Sequence, residues 1–282
     1  MMDLPGGPPV TAAIIDDHPM SAEGLEARLV AAGMKVVASA RCVESFAPVM
    51  TPGSPGLPDV VVCDLRLPGL SLGRAVTYLV RHGCRVLAMS GWASSDLVLE
   101  TVAQGARGYL PKDDPPERFA EAVADVAAVG YHVSARLAVY LRDDLRCRPL
   151  GRDELGRSER EMLKACADGD RGDEIAARTG MSPAGVRDSL ERIFAAARQR
   201  RHDPRYRPTP REEEVMILVG CTGMTDRRAA RQLGGISEDT ITAHLAHLKE
   251  KYQRTHPDDA EAAFLSPRAV AGQWVRDLGL CP

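Results

Sequence analysis

Four short strings limit what this chain can become: Ile15-Asp16-Asp17-His18-Pro19, Cys63-Asp64-Leu65-Arg66-Leu67-Pro68-Gly69, Met89-Ser90-Gly91 and Tyr109-Leu110-Pro111-Lys112. Each ends an apolar run that reads as a β-strand, at positions 11–15, 59–63, 85–89 and 108–110, and a fifth run lies at 35–39. Amphipathic helical patterns fall between and after them, at about 20–33, 43–50, 71–83, 94–105 and 115–129. Such alternation predicts an α/β fold: a doubly wound, five-stranded parallel sheet with helices on both faces. Sheets of this kind bind ligands at the carboxyl ends of their strands. Asp16, Asp17, Asp64, Ser90 and Lys112 all fall there. Three crowded carboxylates repel one another unless a hard cation sits among them, and Mg2+ prefers such oxygen ligands. With a hydroxyl and an ammonium close by, the expected chemistry is phosphoryl transfer onto an aspartate.

A chain of 282 residues has room for more than one domain, and 44% hydrophobic with 27% charged residues is ordinary for a globular protein. Lysine is scarce: five stand against 31 arginines, so the lysine after Tyr109-Leu110-Pro111 is not a product of composition. Seven cysteines form no CxxC pair and are odd in number, which favours free thiols in a reducing compartment over a disulfide framework or a zinc site. The first nine residues lack the pattern of a signal peptide and read as a short disordered tail. No run of 18 apolar residues occurs, so a cytoplasmic location without a membrane span is expected. Net charge is −3; residues 1–150 carry 14 basic against 17 acidic groups and the remainder balances at 22 each, so any basic surface is local.

Residues 52–58 read as a loop, 131–153 as a partly helical linker, and everything from Leu155 onward as helical. This helical half repeats itself. Leu155 to Leu163, Glu174 to Ser182 and Val186 to Ile193 form one unit; Thr209 to Met216, Ala229 to Ser237 and Ile241 to Leu248 form another. The offset grows from 53 (Gly156 to Thr209) to 55 (Ser182 to Ser237), with the extra residues placed in turns near Cys221–Gly223 and at Gly234-Gly235. Thr209-Pro210 and Ser237-Glu238 carry helix-start signals. Between the units, Arg198 to Arg211 holds six arginines and one acid, suited to tracking phosphates or to a solvated linker.

On the four strings, residues 10–130 resemble the receiver domain of response regulators. The resemblance implies a flavodoxin-like sheet of order 2-1-3-4-5, with Asp64 as phosphoryl acceptor. It implies Mg2+ held by Asp16, Asp17, Asp64 and the backbone carbonyl of Arg66. Ser90 and Tyr109 match the switch pair, Lys112 the residue that contacts the phosphoryl group, and Pro111 the position of a cis-proline. Cys63 reads as a buried strand residue, and His18 as one that packs or caps its loop. A sensor histidine kinase or small phosphodonor is the implied donor.

The second helical unit, 209–282, resembles the helix-turn-helix output domain of LuxR/NarL-type regulators. A recognition helix from Glu238 to about Tyr252 is implied, with candidate DNA contacts Thr240, Thr242, Ala243, His244, His247, Lys249 and Lys251. Arg205, Arg207 and Arg211 are the linker candidates. Thr242 and Ala243 stand where family members often carry basic and polar residues, which implies weak or unusual specificity. The first unit, 154–200, joined by an Arg/Pro linker at 201–208, departs further: Gly185 replaces the usual threonine, and Asp188 with Glu191 places acids on the recognition face. It reads either as a degenerate module for packing or dimerisation or as one in direct contact with DNA. The function implied is a response-regulator transcription factor acting as a homodimer on DNA. The alternative is an interaction protein that engages another regulator or RNA polymerase. No second grouping of nucleophile and base suggests an enzyme.

Overall fold

The computed structural model describes residues 8–46, 56–68, 74–151, 155–170 and 172–281. The sheet consists of β1 (Thr11–Ile15), β2 (Lys35–Ala40), β3 (Val60–Asp64), β4 (Val86–Ser90) and β5 (Gly108–Pro111), all parallel and in the order β2-β1-β3-β4-β5. Strands β3 and β4 are buried along their whole length, which is why they read as unbroken apolar runs. Edge strand β2 alternates instead. Helices α1 (Pro19–Ala31) and α5 (Pro116–Ala128) cover one face; α2 (Val43–Phe46), α3 (Arg74–Arg81) and α4 (Ser95–Ala103) belong to the other. The expected tail at 1–7, the end of the helix expected at 43–50 and most of the loop at 52–58 lie outside the described residues.

The stretch 131–153 carries α6 (Ala135–Cys147). Ser134 caps it, accepting from the Leu137 amide and donating to the Tyr109 carbonyl at 2.7 Å, while Leu137, Ala138 and Leu141 are fully buried. Helices α7 (Arg157–Asp168), α8 (Gly172–Thr179) and α9 (Pro183–His202) follow. One apolar core runs from the sheet through α4 and α6 into this unit, joining Leu97, Val98 and Val102 with Leu190, Ile193, Phe194 and Ala197. Every residue of α4 from Asp96 to Ala103 is buried.

The second unit has its own core, built by α10 (Pro210–Met216) and its π-helical continuation Ile217–Cys221, α11 (Asp226–Gln232), α12 (Glu238–Thr255) and α13 (Pro267–Asp277). A short 3-10 turn, Glu261–Ala263, precedes α13. Thr209 and Glu212 form a reciprocal capping box at the start of α10. A π turn holds one residue more than an α turn, so the first extra residue of this repeat falls inside the helix rather than after it. Gly234 and Gly235 both take positive φ (87° and 78°), a backbone that L side chains adopt only with strain.

Two expectations are corrected. Cys221 and Cys281, 60 residues apart in sequence, are joined by a disulfide, with their Cα atoms 5.6 Å apart. Local spacing could not reveal the pair, because the fold returns the end of α13 to the π turn; closing so long a loop restricts the unfolded chain by about 4 kcal/mol. The peptide bond before Pro111 is trans, as are all others described, and Lys112 reaches its partners from that geometry.

Candidate functional site

At the carboxyl edge of the sheet, Asp16 follows β1, Asp64 ends β3, Ser90 ends β4 and Lys112 follows β5. Lys112 Nζ donates to Asp16 Oδ2 at 2.7 Å and to Asp64 Oδ2 at 2.6 Å. Asp16 also accepts from the Ser21 hydroxyl at 2.6 Å and from the His18 amide at 3.0 Å. Burial pushes its pKa up, but Lys112, Ser21 and His18 outweigh burial and hold the carboxyl below its ordinary value. Asp64 accepts from the Arg66 amide at 3.0 Å, yet there burial wins and raises its pKa. For Lys112, burial opposes the charge and the two carboxylates overcome it, raising its pKa.

Ligand atoms of Asp16, Asp17, His18 and Asp64 lie within 4.8 Å of one another. The buried Oδ1 of Asp17 has no hydrogen-bond partner, although His18 Nδ1 approaches it to 2.9 Å. A desolvated carboxylate oxygen beside two other carboxylates suits a hard divalent cation. His18, read as a residue that packs or caps its loop, stands at the start of α1 with its exposed ring beside these carboxylates.

Ser90 is buried, and its hydroxyl donates to the Trp92 carbonyl at 2.8 Å while accepting from the Trp92 amide at 3.2 Å. Tyr109 is buried, and burial first of all pushes its phenol up to about 12. Trp92, missed in the sequence, is 70% exposed and lies under the Arg66 guanidinium, 5.0 Å from ring centroid to Cζ.

In the second unit, Ser237 caps α12 by accepting from the Thr240 amide. Thr242, Ala243 and His247 are exposed on α12; Thr240 and His244 are half-buried. Thr240 Oγ1 and Ser237 Oγ are 2.8 Å apart, and Thr242 Oγ1 donates to the Glu238 carbonyl. The remaining basic candidates have partners within the chain. Lys249 Nζ donates to the carbonyls of Ala263 and Leu265; Lys251 Nζ donates to the Arg207 carbonyl and pairs with Glu212 at 2.7 Å. Arg205 pairs with Asp203, Arg207 with Glu100 and Glu213, and Arg211 with Glu214 and the Leu233 carbonyl. Three further arginines, Arg227, Arg228 and Arg231, are exposed on α11, which packs against α12. Their spacing on one short helix was the available signal.

A buried ionic cluster joins the two ends of the molecule. Asp96 on α4 accepts from Arg201 at 2.7 Å and lies 2.9 Å from His256 Nε2, at the end of α12. Asp144 on α6 accepts from Arg148, Arg200 and Arg201 at 2.8–2.9 Å. Burial raises the pKa of Asp96, but Arg201, His256 and Arg148 dominate and drive it well below the carboxylate range. Ser94, which caps α4, donates to the Asp277 carbonyl at the end of α13. The β4–α4 loop therefore touches the candidate site at one end and the second unit at the other.

A 2-1-3-4-5 parallel sheet with carboxylates and a lysine at its carboxyl edge defines a receiver-class fold. The profile described as "Response regulator receiver domain" matches residues 12–124. The chain is similar to the "Probable transcriptional regulatory protein NarL" of Mycobacterium tuberculosis, 31% identical over 199 residues that span 68% of this chain and 90% of that protein. It is similar as well to the "Transcriptional regulatory protein UhpA" of Escherichia coli K12, 31% identical over 63% of this chain and 86% of that one. A solved receiver domain of the M. tuberculosis NarL regulator covers 43% of this chain and 98% of its own, at 28% identity and a TM-score of 0.38. The chain belongs to the LuxR/NarL-type response regulators.

Proposed function

We propose that this response regulator accepts a phosphoryl group on Asp64 and regulates transcription through the DNA-facing side of its second helical unit. The observation that carries the proposal is the single lysine held between Asp16 and Asp64 at the sheet edge. An Asp64 carboxylate oxygen attacks phosphorus as the donor bond breaks, the donor being a phosphohistidine of a sensor kinase or a small phosphodonor. Lys112 is placed to exchange a carboxylate oxygen for a phosphoryl oxygen, compensating the added charge. Asp16, Asp17 and Asp64 would hold Mg2+, joined on resemblance by the Arg66 carbonyl, and the ion would neutralise the transferring phosphoryl oxygens.

The Ser90 hydroxyl would then leave the Trp92 backbone for the phosphoryl group, with Tyr109 following. That movement reaches Ser94 and Asp96, and through them Asp277 and His256. On the output side, Thr242, Ala243 and His247 would face the major groove while Arg227, Arg228 and Arg231 contact phosphates. Residues 10–130 serve as receiver and 209–282 as DNA-binding domain, in a homodimer matched to a two-fold site in the cytoplasm. The first unit, 154–200, works as a bridge: the apolar half of α9 lies in the receiver core.

Two measurements test this. Incubation with a small acyl phosphate and Mg2+ should label wild type and leave Asp64→Asn unlabelled. Binding to genomic DNA fragments at two salt concentrations should weaken steeply with salt and tighten on phosphorylation. Salt-independent or absent DNA binding in both states would favour the alternative, an interaction protein acting on another regulator or RNA polymerase.

A further inference from the structure

Cys221 and Cys281 differ from most of the chain's other cysteines in being joined and half-buried. Cys63, Cys84 and Cys166 are buried free thiols, and burial first of all raises the pKa of each, Cys84 to about 11 and Cys166 to about 12. Thiolates are the species that exchange with disulfides, so these three are poor participants. Among the described cysteines, the Cys221–Cys281 pair and the free thiols Cys42 and Cys147 are half-buried rather than buried.

The position of the pair gives it consequences. Cys221 is the last residue of the π turn, and Cys281 lies four residues past α13. The intervening tail follows α13 closely: the Gly279 amide donates to the Arg276 carbonyl and the Leu280 amide to the Val275 carbonyl, while Leu278 is buried. One residue before the tail, the Asp277 carbonyl accepts the Ser94 hydroxyl at 3.0 Å. Ser94 is two residues from Trp92, whose backbone holds the Ser90 hydroxyl. A covalent anchor on the second unit thus fixes the segment that the receiver's switch loop grips.

We propose that Cys221 and Cys281 form a reversible thiol–disulfide site, giving the second unit a redox input that meets the phosphorylation input at Ser94. In the reducing direction, a thiolate of a cellular dithiol attacks one sulfur of the pair. The Cys221–Cys281 bond breaks, and the departing thiolate takes up a proton. The reductant's second thiol then resolves the mixed disulfide. The pair gains two electrons and becomes two thiols; the dithiol loses two and becomes a disulfide. The reverse exchange, with an oxidised dithiol, restores the bond. Reduction frees the tail and loosens the Ser94–Asp277 tie, whereas oxidation holds the second unit on the receiver.

The test uses the full chain, as wild type and as Asp64→Asn, equilibrated in buffers of stepped dithiol-to-disulfide ratio and quenched with an alkylating reagent. Peptide mass spectrometry should show Cys221 and Cys281 becoming alkylated together in one two-electron transition. Amide exchange in 90–97 and 274–281 should quicken at least threefold on reduction, in Asp64→Asn as in wild type. Cys281→Ser, or Cys221→Ser should the first fold poorly, should show the reduced pattern in oxidising buffer, and Cys42→Ser should keep the wild-type response. DNA affinity of the unphosphorylated chain should rise at least threefold on reduction; that readout rests on the DNA-binding role proposed above, and the exchange readout does not. A chain that binds no DNA in either state but still changes its exchange would support the redox site and overturn only the output role. The redox site is overturned if the pair fails to form in oxidising buffer, resists every dithiol ratio, or changes state without altering exchange in those two segments.

Discussion

The two helical units share one plan and have opposite fates. In each, two helices lead through a glycine turn to a serine-capped long helix, α9 after Ser182 and α12 after Ser237. Helix α9 turns Ile193, Phe194 and Ala197 into the core it shares with the receiver and Arg200 onto Asp144 of α6, all four fully buried. Helix α12 buries Ile241, Leu245, Leu248 and Tyr252 in its own unit and keeps Thr242, Ala243 and His247 exposed. The exposed charges differ as well: in the second unit α11 exposes three arginines, whereas in the first unit the long helix α9 exposes Asp188 and Glu191. One unit thus keeps a face of its long helix exposed, while the long helix of the other is absorbed into the core it shares with the sheet and α4. The difference lies in the last two turns of the long helix, apolar and arginine-bearing in α9 and closed upon its own unit in α12.

The contrast would break most visibly at the buried ionic cluster. Asp144→Ala removes from low dielectric the carboxylate that Arg148, Arg200 and Arg201 share, and should cost about 3–5 kcal/mol in urea unfolding. Next in size, Phe194→Ala should destabilise the receiver by about 3–4 kcal/mol, because its ring belongs to that core. Leu245→Ala, by comparison, should cost about 2–4 kcal/mol in the second unit and leave receiver amide exchange unchanged. Replacing Arg227, Arg228 and Arg231 together by alanine should lower the slope of log affinity against log salt by about 3, while Arg187→Ala on the first unit leaves it unaltered.

The smallest effect concerns pH. Burial first, then the charge of Asp96, pushes the Asp277 carboxyl up to about 6, against the opposing pull of His256 and Arg276. A folded-state pKa raised in this way stabilises fully below the unfolded value near 4, and the contribution is lost as pH rises through about 6. Asp277→Asn should therefore stabilise the second unit by about 1 kcal/mol at pH 7, after discounting for the exposed part of the side chain, and by nothing at pH 4. Thermal unfolding at the two pH values measures it.

The sheet and the carboxylate cluster were legible because polar tips interrupt strong apolar runs at strand ends, and because Lys112 stands out against scarce lysine. The helix starts at Thr209 and Ser237 were legible from their caps. The ionic cluster was not. Arg200 and Arg201 sit in a charge run that looks solvent-facing, and their carboxylate partners lie 56 and 105 residues away. Lys249 and Lys251 posed the reverse problem: basic residues on a recognition helix suggest phosphates, while the fold commits both to local oxygens. The disulfide depends likewise on a chain reversal that spacing does not encode.

The burial of α4 from Asp96 to Ala103 carries a lesson for anyone who would transplant this input. Receivers are attractive cassettes for chimeric sensors, cut just after α5. A cut after residue 130 here would strip α6 and α9 from α4 and leave Leu97, Val98 and Val102, now packed with them, facing water. The smallest portable cassette ends after His202, and a graft made there takes the bridge along with the switch.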